Sequence, residues 1–291
     1  MKPAPFRYLR PRSLEEVLAA LAEHGDEAKP LAGGQSLIPA MNFRLAQPSV
    51  LVDLELVEEL RGMHDENGAL RVGAMVRQCD AERSPLVTGT CPLLRDALPW
   101  IGHLQNRSRG TIGGSIVHAD PAAELPAVAV ALDANVDVVG ARGARTLRAT
   151  DFFDGPFSTA LAPDEIVSGL RFPVVEHSAA ACLELAPRRG DFAVVGVAAF
   201  VRFTPGATRV EDAGIVAFGV AATPVRLALA EASLRGAELT VQVAEAAGAA
   251  SAEDVARPTA DIHATGDYRR RALAELVRRA LDSIASRRGV A

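Results

Sequence analysis

Apolar residues recur at helical spacing soon after the chain begins. Leu14, Val17, Leu18 and Leu21 fall on one face, Ser13-Leu14-Glu15-Glu16 has the form of a capping box, and Gly25 supplies a stop. The pattern predicts a first helix, then a short strand at 29–31, a Gly-Gly turn, an apolar helix-like stretch over 37–45 and a strand over 50–54. A further strand is expected at 69–74, a helix at 91–100, and a glycine-punctuated segment over 102–115. Asp120-Pro121 reads as an N-cap followed by proline at the first helical position, opening a helix that runs through Leu132. Strands at 136–139 and 145–147 flank Gly140-Ala141-Arg142-Gly143 as in a hairpin, and a strand over 166–172 stops at Pro173.

Beyond Pro173 the spacing changes to long strands of antiparallel type, 192–203 and 212–221, with helices from Pro224 onward. A domain boundary is therefore expected near residues 174–178. In the last helix Leu273, Leu276, Val277, Ala280, Leu281 and Ile284 form one apolar stripe. Arg269, Arg270, Arg278 and Arg279 fall mostly off it, as a solvated face would. No internal repeat or low-complexity linker is visible, although alanine dominates 244–252.

At 291 residues and 49% hydrophobic, the chain has room for two domains of roughly 150 residues each. A net charge of -5 leaves no basic excess to neutralise phosphates along a nucleic acid, so that class of partner is set aside. The first residues, with Lys2, Arg7, Arg10 and three prolines, lack the apolar core of a secretory signal. No apolar run approaches the roughly 18 residues of a membrane span. A soluble cytoplasmic protein is the expectation. Cys79, Cys91 and Cys182 are far apart and share no C-x-x-C spacing, so they are expected as small buried hydrophobes rather than as disulfide, zinc or iron–sulfur ligands.

Two segments carry candidate chemistry: Ala32-Gly33-Gly34-Gln35-Ser36-Leu37 and Arg109-Gly110-Thr111-Ile112-Gly113-Gly114-Ser115-Ile116. Paired glycines let the backbone turn tightly and approach a ligand with no Cβ in the way, and successive N–H groups can then point at phosphate oxygens. Ser36, Thr111 and Ser115 add hydroxyls. Two such loops can hold a diphosphate between them through backbone dipoles instead of lysines, which suits a dinucleotide in an acidic protein. Neither the G-x-G-x-x-G fingerprint after a strand nor G-x-x-x-x-G-K-[ST] occurs.

These two segments, the second continuing through Val117-His118-Ala119-Asp120-Pro121-Ala122-Ala123-Glu124, resemble the flavoprotein subunits of carbon monoxide dehydrogenase, xanthine dehydrogenase and related molybdenum hydroxylases. Phe6-Arg7-Tyr8, Asp151-Phe152-Phe153, Pro163-Asp164-Glu165-Ile166 and Tyr268-Arg269-Arg270 extend the likeness over nearly the whole chain. The resemblance implies an α+β chain: a two-part FAD-binding domain of the vanillyl-alcohol-oxidase type over 1–176, with lobes of about 1–56 and 57–176, and a C-terminal domain of a small antiparallel sheet with helices over 177–291. It implies FAD as cofactor. Leu31, Ala32, Gly33, Gly34, Gln35, Ser36 and Leu37, with Thr111, Gly113, Gly114 and Ser115, would wrap its diphosphate. Ile101 would lie toward the adenine, Val117, His118 and Ala123 near the flavin ring and ribityl chain, Glu124 on the cofactor hydroxyls, and Leu161 would reach the flavin by its backbone. Glu184 departs from a lysine found near the flavin in some members, and His103 and Asn106 also vary on the usual pattern.

The role implied is electron transfer: an oxidoreductase subunit that takes electrons from the iron–sulfur clusters of a small partner and passes them to an external acceptor, while a molybdopterin-binding large subunit hydroxylates the substrate. A heterotrimer, and a dimer of heterotrimers, are the expected assemblies. Two alternatives stay open at this point, a stand-alone FAD-dependent oxidase of the same superfamily and a scaffold subunit without cofactor.

Overall fold

The computed structural model describes residues 1–206 and 208–288; Gly289, Val290 and Ala291, the end of the expected C-terminal domain, lie outside them. The Ser13 hydroxyl accepts the Glu16 N–H and starts α1 (Leu14–His24), which ends at Gly25 as the sequence predicts. Strands β1 (Arg7–Leu9), β2 (Ala28–Leu31) and β3 (Val50–Asp53) form a parallel sheet in the order β1-β3-β2, with the short helix α2 (Leu37–Asn42) between β2 and β3. Val17 and Leu21 of α1 pack on Val50 and Val52, giving this lobe its own core.

A second lobe follows. It holds β4 (Met63–Glu66), β5 (Ala69–Gly73), the short helices α3 (Gln78–Arg83), α4 (Pro85–Thr90), α5 (Pro92–Ala97), α6 (Leu104–Arg107) and α7 (Ile112–His118), then α8 (Glu124–Ala131), the hairpin β6 (Asn135–Gly140) and β7 (Gly143–Arg148), a small pair β8 (Phe153–Gly155) and β9 (Ser158–Thr159), and β10 (Glu165–Pro173). Its five-stranded antiparallel sheet runs β4-β5-β10-β6-β7. The expected hairpin is present, with Val139 opposite Ala144 and Gly140 opposite Gly143.

The C-terminal part contains β11 (Ser178–Leu185), β12 (Val195–Phe203), β13 (Val210–Phe218) and the short β14 (Val225–Arg226), antiparallel in that order, then α9 (Ala228–Leu234), α10 (Val241–Asp254) and α11 (Gly266–Arg287). Both faces of this sheet are covered. Ala198, Phe200, Val216 and Phe218 join the core of the second lobe, whereas Val197, Ala199, Val201, Ile215 and Ala217 pack with Leu273, Val277 and Leu281 of α11. Strands buried on both faces lose polar alternation, which is why this stretch reads as continuous apolar sequence. The same cover hid β11: Ala180, Ala181 and Cys182 are all buried, so no period of two marks it.

Two expectations, on Asp120 and Arg269, are corrected. Asp120 does not cap α8, which begins at Glu124 with Ala123 in the cap position. Instead Asp120 Oδ1 accepts the Ala122 N–H at 2.8 Å and its carbonyl accepts Ala123 N–H at 3.0 Å, an Asx turn that delays the helix. The glycine-rich 102–115 segment holds α6 and the start of α7, whose N-cap Thr111 accepts the Gly114 N–H. Arg269 is buried, not solvated: it donates to the carbonyls of Val194 and Gly219 and to Asp261 Oδ2, clasping the start of β12 to the end of β13.

Phe218 is fully buried and its ring occupies the space above Gly196, where a Cβ would stand 2.0 Å from the ring. Phe218→Ala is expected to cost about 3–5 kcal/mol in denaturant unfolding of the full chain; a loss below about 1 kcal/mol would show that the ring is not what joins sheet to lobe.

Candidate functional site

The two glycine loops and the C-terminal sheet enclose one large cavity of about 1410 Å3. Of the expected site residues, Ala32, Gly33, Gly34, Gln35, Ser36 and Leu37 line it from the first lobe. Ile101, Thr111, Gly113, Gly114, Ser115, Val117, His118, Ala123, Glu124 and Leu161 line it from the second. Leu31 does not. It ends β2, its carbonyl accepts the Leu54 N–H at 3.0 Å, and its side chain lies behind Gly34.

Backbone meets backbone where the loops converge. A Cβ on Gly33 would stand 2.2 Å from the Arg109 carbonyl oxygen and 2.8 Å from Gly110 Cα, so only a residue without one permits this approach. A Cβ on Gly114 would lie 3.5 Å from Ala32 Cβ, within ordinary contact. Gly34 turns the first loop with φ +72°, a region that favours glycine.

The loops differ in what they can offer a ligand. Among the described residues, no protein acceptor meets the backbone N–H groups of Gly33, Gly34, Gln35 and Ser36, and the Ser36 hydroxyl makes no capping bond. The second loop is already engaged: Ile112 N–H donates to Val76 O, Gly113 N–H to Ala74 O, both at 2.9 Å, and Gly114 N–H to Thr111 Oγ1 at 3.0 Å. The first loop is therefore the donor of backbone hydrogen bonds, and the second is a fixed wall bearing the hydroxyls of Thr111 and Ser115. That asymmetry departs from the sequence reading, in which both loops presented N–H groups.

Several side chains fix this geometry. Gln78 donates from its side-chain Nε2 to Thr111 O at 3.4 Å, beside its backbone N–H to Gly110 O at 2.9 Å. Asn106, which closes a capping box with His103, donates from Nδ2 to Gln35 Oε1 at 3.3 Å and so links α6 to the first loop. Arg107 is buried, paired with Glu82 at 2.8 Å, and donates to the carbonyls of Ile101 and Gly102. Phe157, a non-glycine at φ +55°, donates its N–H to Ala119 O and sets its ring 5.1 Å from that of His118. Such backbone outliers gather at functional sites.

From the C-terminal part come Phe192, Ala193, Gly219, Asp261, His263 and Arg269. Of these only Arg269 stood out in the sequence, as one of an arginine pair, because their approach to the cavity depends on sheet packing distant in sequence. All three cysteines are buried, as expected of small hydrophobes, and burial pushes the Cys91 thiol up to about 12. Among the described residues, no group of three His, Cys, Asp or Glu side chains is placed to hold a metal ion, and no helix is long and apolar enough to cross a membrane.

Burial dominates the electrostatics of the wall. It pushes the Glu124 carboxyl up to about 7, with Asp120 adding to the rise, and it lowers His118 below its ordinary value. Glu184, on the β11 face shared by Ala180 and Cys182, has both carboxyl oxygens out of solvent with no hydrogen-bond partner, and burial followed by repulsion from Glu124 raises it to about 8. An acid whose folded pKa is raised adds stability that is complete below the ordinary value of 4.5 and is lost as pH rises through the folded value. The ligand-free chain is therefore expected to lose thermal stability as pH climbs from about 4.5 to about 8, and Glu184→Gln to lose less over the same range. Identical slopes for the two proteins would mean that Glu184 is ionised in the folded chain.

With this geometry in place, comparison with known proteins identifies the lineage. Residues 4–175 match the FAD binding domain in molybdopterin dehydrogenase, and residues 181–284 match the CO dehydrogenase flavoprotein C-terminal domain. The nicotine 6-hydroxylase medium subunit of Paenarthrobacter nicotinovorans is 38% identical over 281 residues, covering 97% of this chain and 98% of that protein. The carbon monoxide dehydrogenase medium chain of Hydrogenophaga pseudoflava is 35% identical over 284 residues, covering 97% and 98%. The solved carbon monoxide dehydrogenase of that organism superposes with a TM-score of 0.94 at 36% identity over 99% of each chain, and quinoline 2-oxidoreductase from Pseudomonas putida 86 with 0.93 at 34%, over 100% of this chain and 99% of that one. An FAD-binding domain followed by a C-terminal domain of antiparallel sheet and helices, a cavity framed by two glycine loops, and likeness over the full length place this chain in the family of FAD-binding medium subunits of the molybdenum hydroxylases, as an oxidoreductase component.

Proposed function

We propose that this chain is the electron-transfer subunit of a heterotrimeric molybdenum hydroxylase, accepting electrons from the iron–sulfur clusters of a small subunit and delivering them to an external acceptor. The observation that carries the reading is the convergence of Gly33 on Arg109 and Gly110 at the cavity, a gap that a single Cβ would close. Such a cradle fits a dinucleotide diphosphate, with unengaged N–H groups on one side and hydroxyls on the other. The relatives are themselves named as medium chains or subunits, which supports companion polypeptides; the reading takes one of these as a molybdopterin-binding large subunit and the whole as a dimer of heterotrimers.

FAD, when bound, supplies the exchange of single electrons for a pair. The chain's residues bind and orient it. Residues 33–37 hold the diphosphate with Thr111 and Ser115, and Ile101 flanks the adenine. Val117, His118 and Ala123 stand near the flavin ring, Glu124 serves the cofactor hydroxyls, and the Leu161 backbone reaches the ring. Burial keeps His118 neutral near pH 7, so its ring adds no positive charge there. The reading also divides the chain at 1–176 and 177–291, with lobes of about 1–56 and 57–176; the two matched regions, 4–175 and 181–284, support that division.

Purification of the chain from its native source tests the reading directly. Flavin absorption, FAD released into the supernatant on denaturation, and co-purifying large and small subunits carrying molybdenum and iron are expected. Flavin retained covalently on the polypeptide, with substrate oxidation by the isolated chain, would favour a stand-alone oxidase; a colourless chain that does not take up added FAD would favour a scaffold. Within the same reading, Gly33→Ala forces a 2.2 Å contact to relax and is expected to weaken FAD binding by about 100-fold in a fluorescence titration. Unchanged affinity would show that the loops need not touch.

A further inference from the structure

Behind the glycine loops, out of the cavity, lies an arginine that the site as described so far does not use. Arg77 is only 9% exposed and does not line the cavity. Its guanidinium donates to the Arg109 carbonyl oxygen through Nη1 and to the Glu55 carboxylate through Nη2. Glu55 follows β3 in the first lobe, and Arg77 precedes α3 in the second. The Arg109 oxygen is the atom against which Gly33 is packed. One buried cation thus touches the carboxylate of one lobe and the loop of the other at their point of closest approach.

We propose that Arg77 is a positioning residue for the cofactor diphosphate: it fixes the Arg109–Gly110 peptide, and with it the gap between the two glycine loops, by tying both to Glu55. The peptide is held at both ends, its oxygen by Arg77 and its N–H by the Asn106 carbonyl at 2.6 Å. Arg109 itself is turned out of the cavity lining, so its carbonyl dipole does not face an incoming anion. On either side of Arg77 the backbone is zipped to the second loop, Val76 O accepting from Ile112 and Gln78 N–H donating to Gly110 O. Burial alone would raise the Glu55 carboxyl, but the Arg77 and Arg61 guanidiniums outweigh it and hold the group below its ordinary value, so the pair stays ionised near neutral pH. The planar fork of arginine reaches two acceptors in fixed directions; a lysine ammonium on a flexible stem does not reproduce that.

This inference rests on the FAD reading, and its test separates the two. Full-length chain is stripped of flavin and titrated with FAD, with ADP and with riboflavin, which lacks phosphate. Arg77→Met is expected to weaken FAD and ADP by about 10–100-fold, as loss of a supporting hydrogen bond behind a ligand-holding group commonly does, and to leave riboflavin within about twofold. Arg77→Lys is expected to fall between. Should Arg77→Met fail to fold, Glu55→Gln keeps the shape, removes the anchoring charge and is expected to give the same ligand pattern. FAD affinity equal to wild type, or an equal loss for riboflavin, overturns the proposal, since the first means no role and the second a general effect on the fold. A wild-type chain that binds none of the three ligands overturns the FAD reading and this inference with it.

Discussion

The site depends on a contact between two stretches of main chain with no side chain between them. Gly33 and the Arg109–Gly110 peptide come from different lobes, each with its own sheet, and they touch only because one residue lacks a Cβ. Main-chain contact of this kind is rigid, since neither partner has rotamers to rearrange. It also solves an electrostatic problem. A chain with net charge -5 has little long-range attraction for an anion, so recognition has to come from dipoles at contact distance.

Rigid and receptive roles are divided between the loops. The second loop is pinned by hydrogen bonds to Val76, Ala74 and its own Thr111 side chain, whereas the first retains its N–H groups at Gly33 through Ser36. A wall satisfied within the protein does not rearrange when a ligand arrives, and unengaged donors opposite it keep their full hydrogen-bonding capacity. The C-terminal sheet completes the enclosure. Because it is covered by the second lobe on one face and by α9 to α11 on the other, it can bring Phe192, Gly219 and Asp261 to the cavity without exposing its own apolar faces.

The sequence made the loops legible because glycine pairs carry a local signature, and every expected cofactor contact except Leu31 lines the cavity. The first helix, the β6–β7 hairpin and the last apolar stripe were also visible, each resting on capping, turn or periodic signals within a few residues. What stayed hidden was set at long range. β11 lacks alternation since both its faces are packed, and Arg269 looked like one more surface arginine until the folded carbonyls of Val194 and Gly219 met it. Asp120 showed a helix-capping pattern that its own Asx turn satisfied earlier. The engagement of the Ile112 and Gly113 N–H groups was invisible for the same reason, as their acceptors lie more than thirty positions away at Val76 and Ala74.

Three acids at or beside the cavity show two ways of relieving negative charge. Glu124 and Asp261 both line the cavity, and Glu184 stands close enough to Glu124 for its carboxyl to be raised further by that neighbour. Each is neutralised differently. Burial raises Glu124 to about 7 and Glu184 to about 8, which favours the uncharged carboxylic acid in both near neutral pH. Asp261 is held down to about 2 and stays ionised, but the N–H groups of His263 and Ala264 and the Arg269 guanidinium surround it. A proton in one case and donated hydrogen bonds in the other remove the same repulsion. The first route makes the wall sensitive to pH and the second does not, so the two sides of one cavity differ in how they respond to the same change of medium.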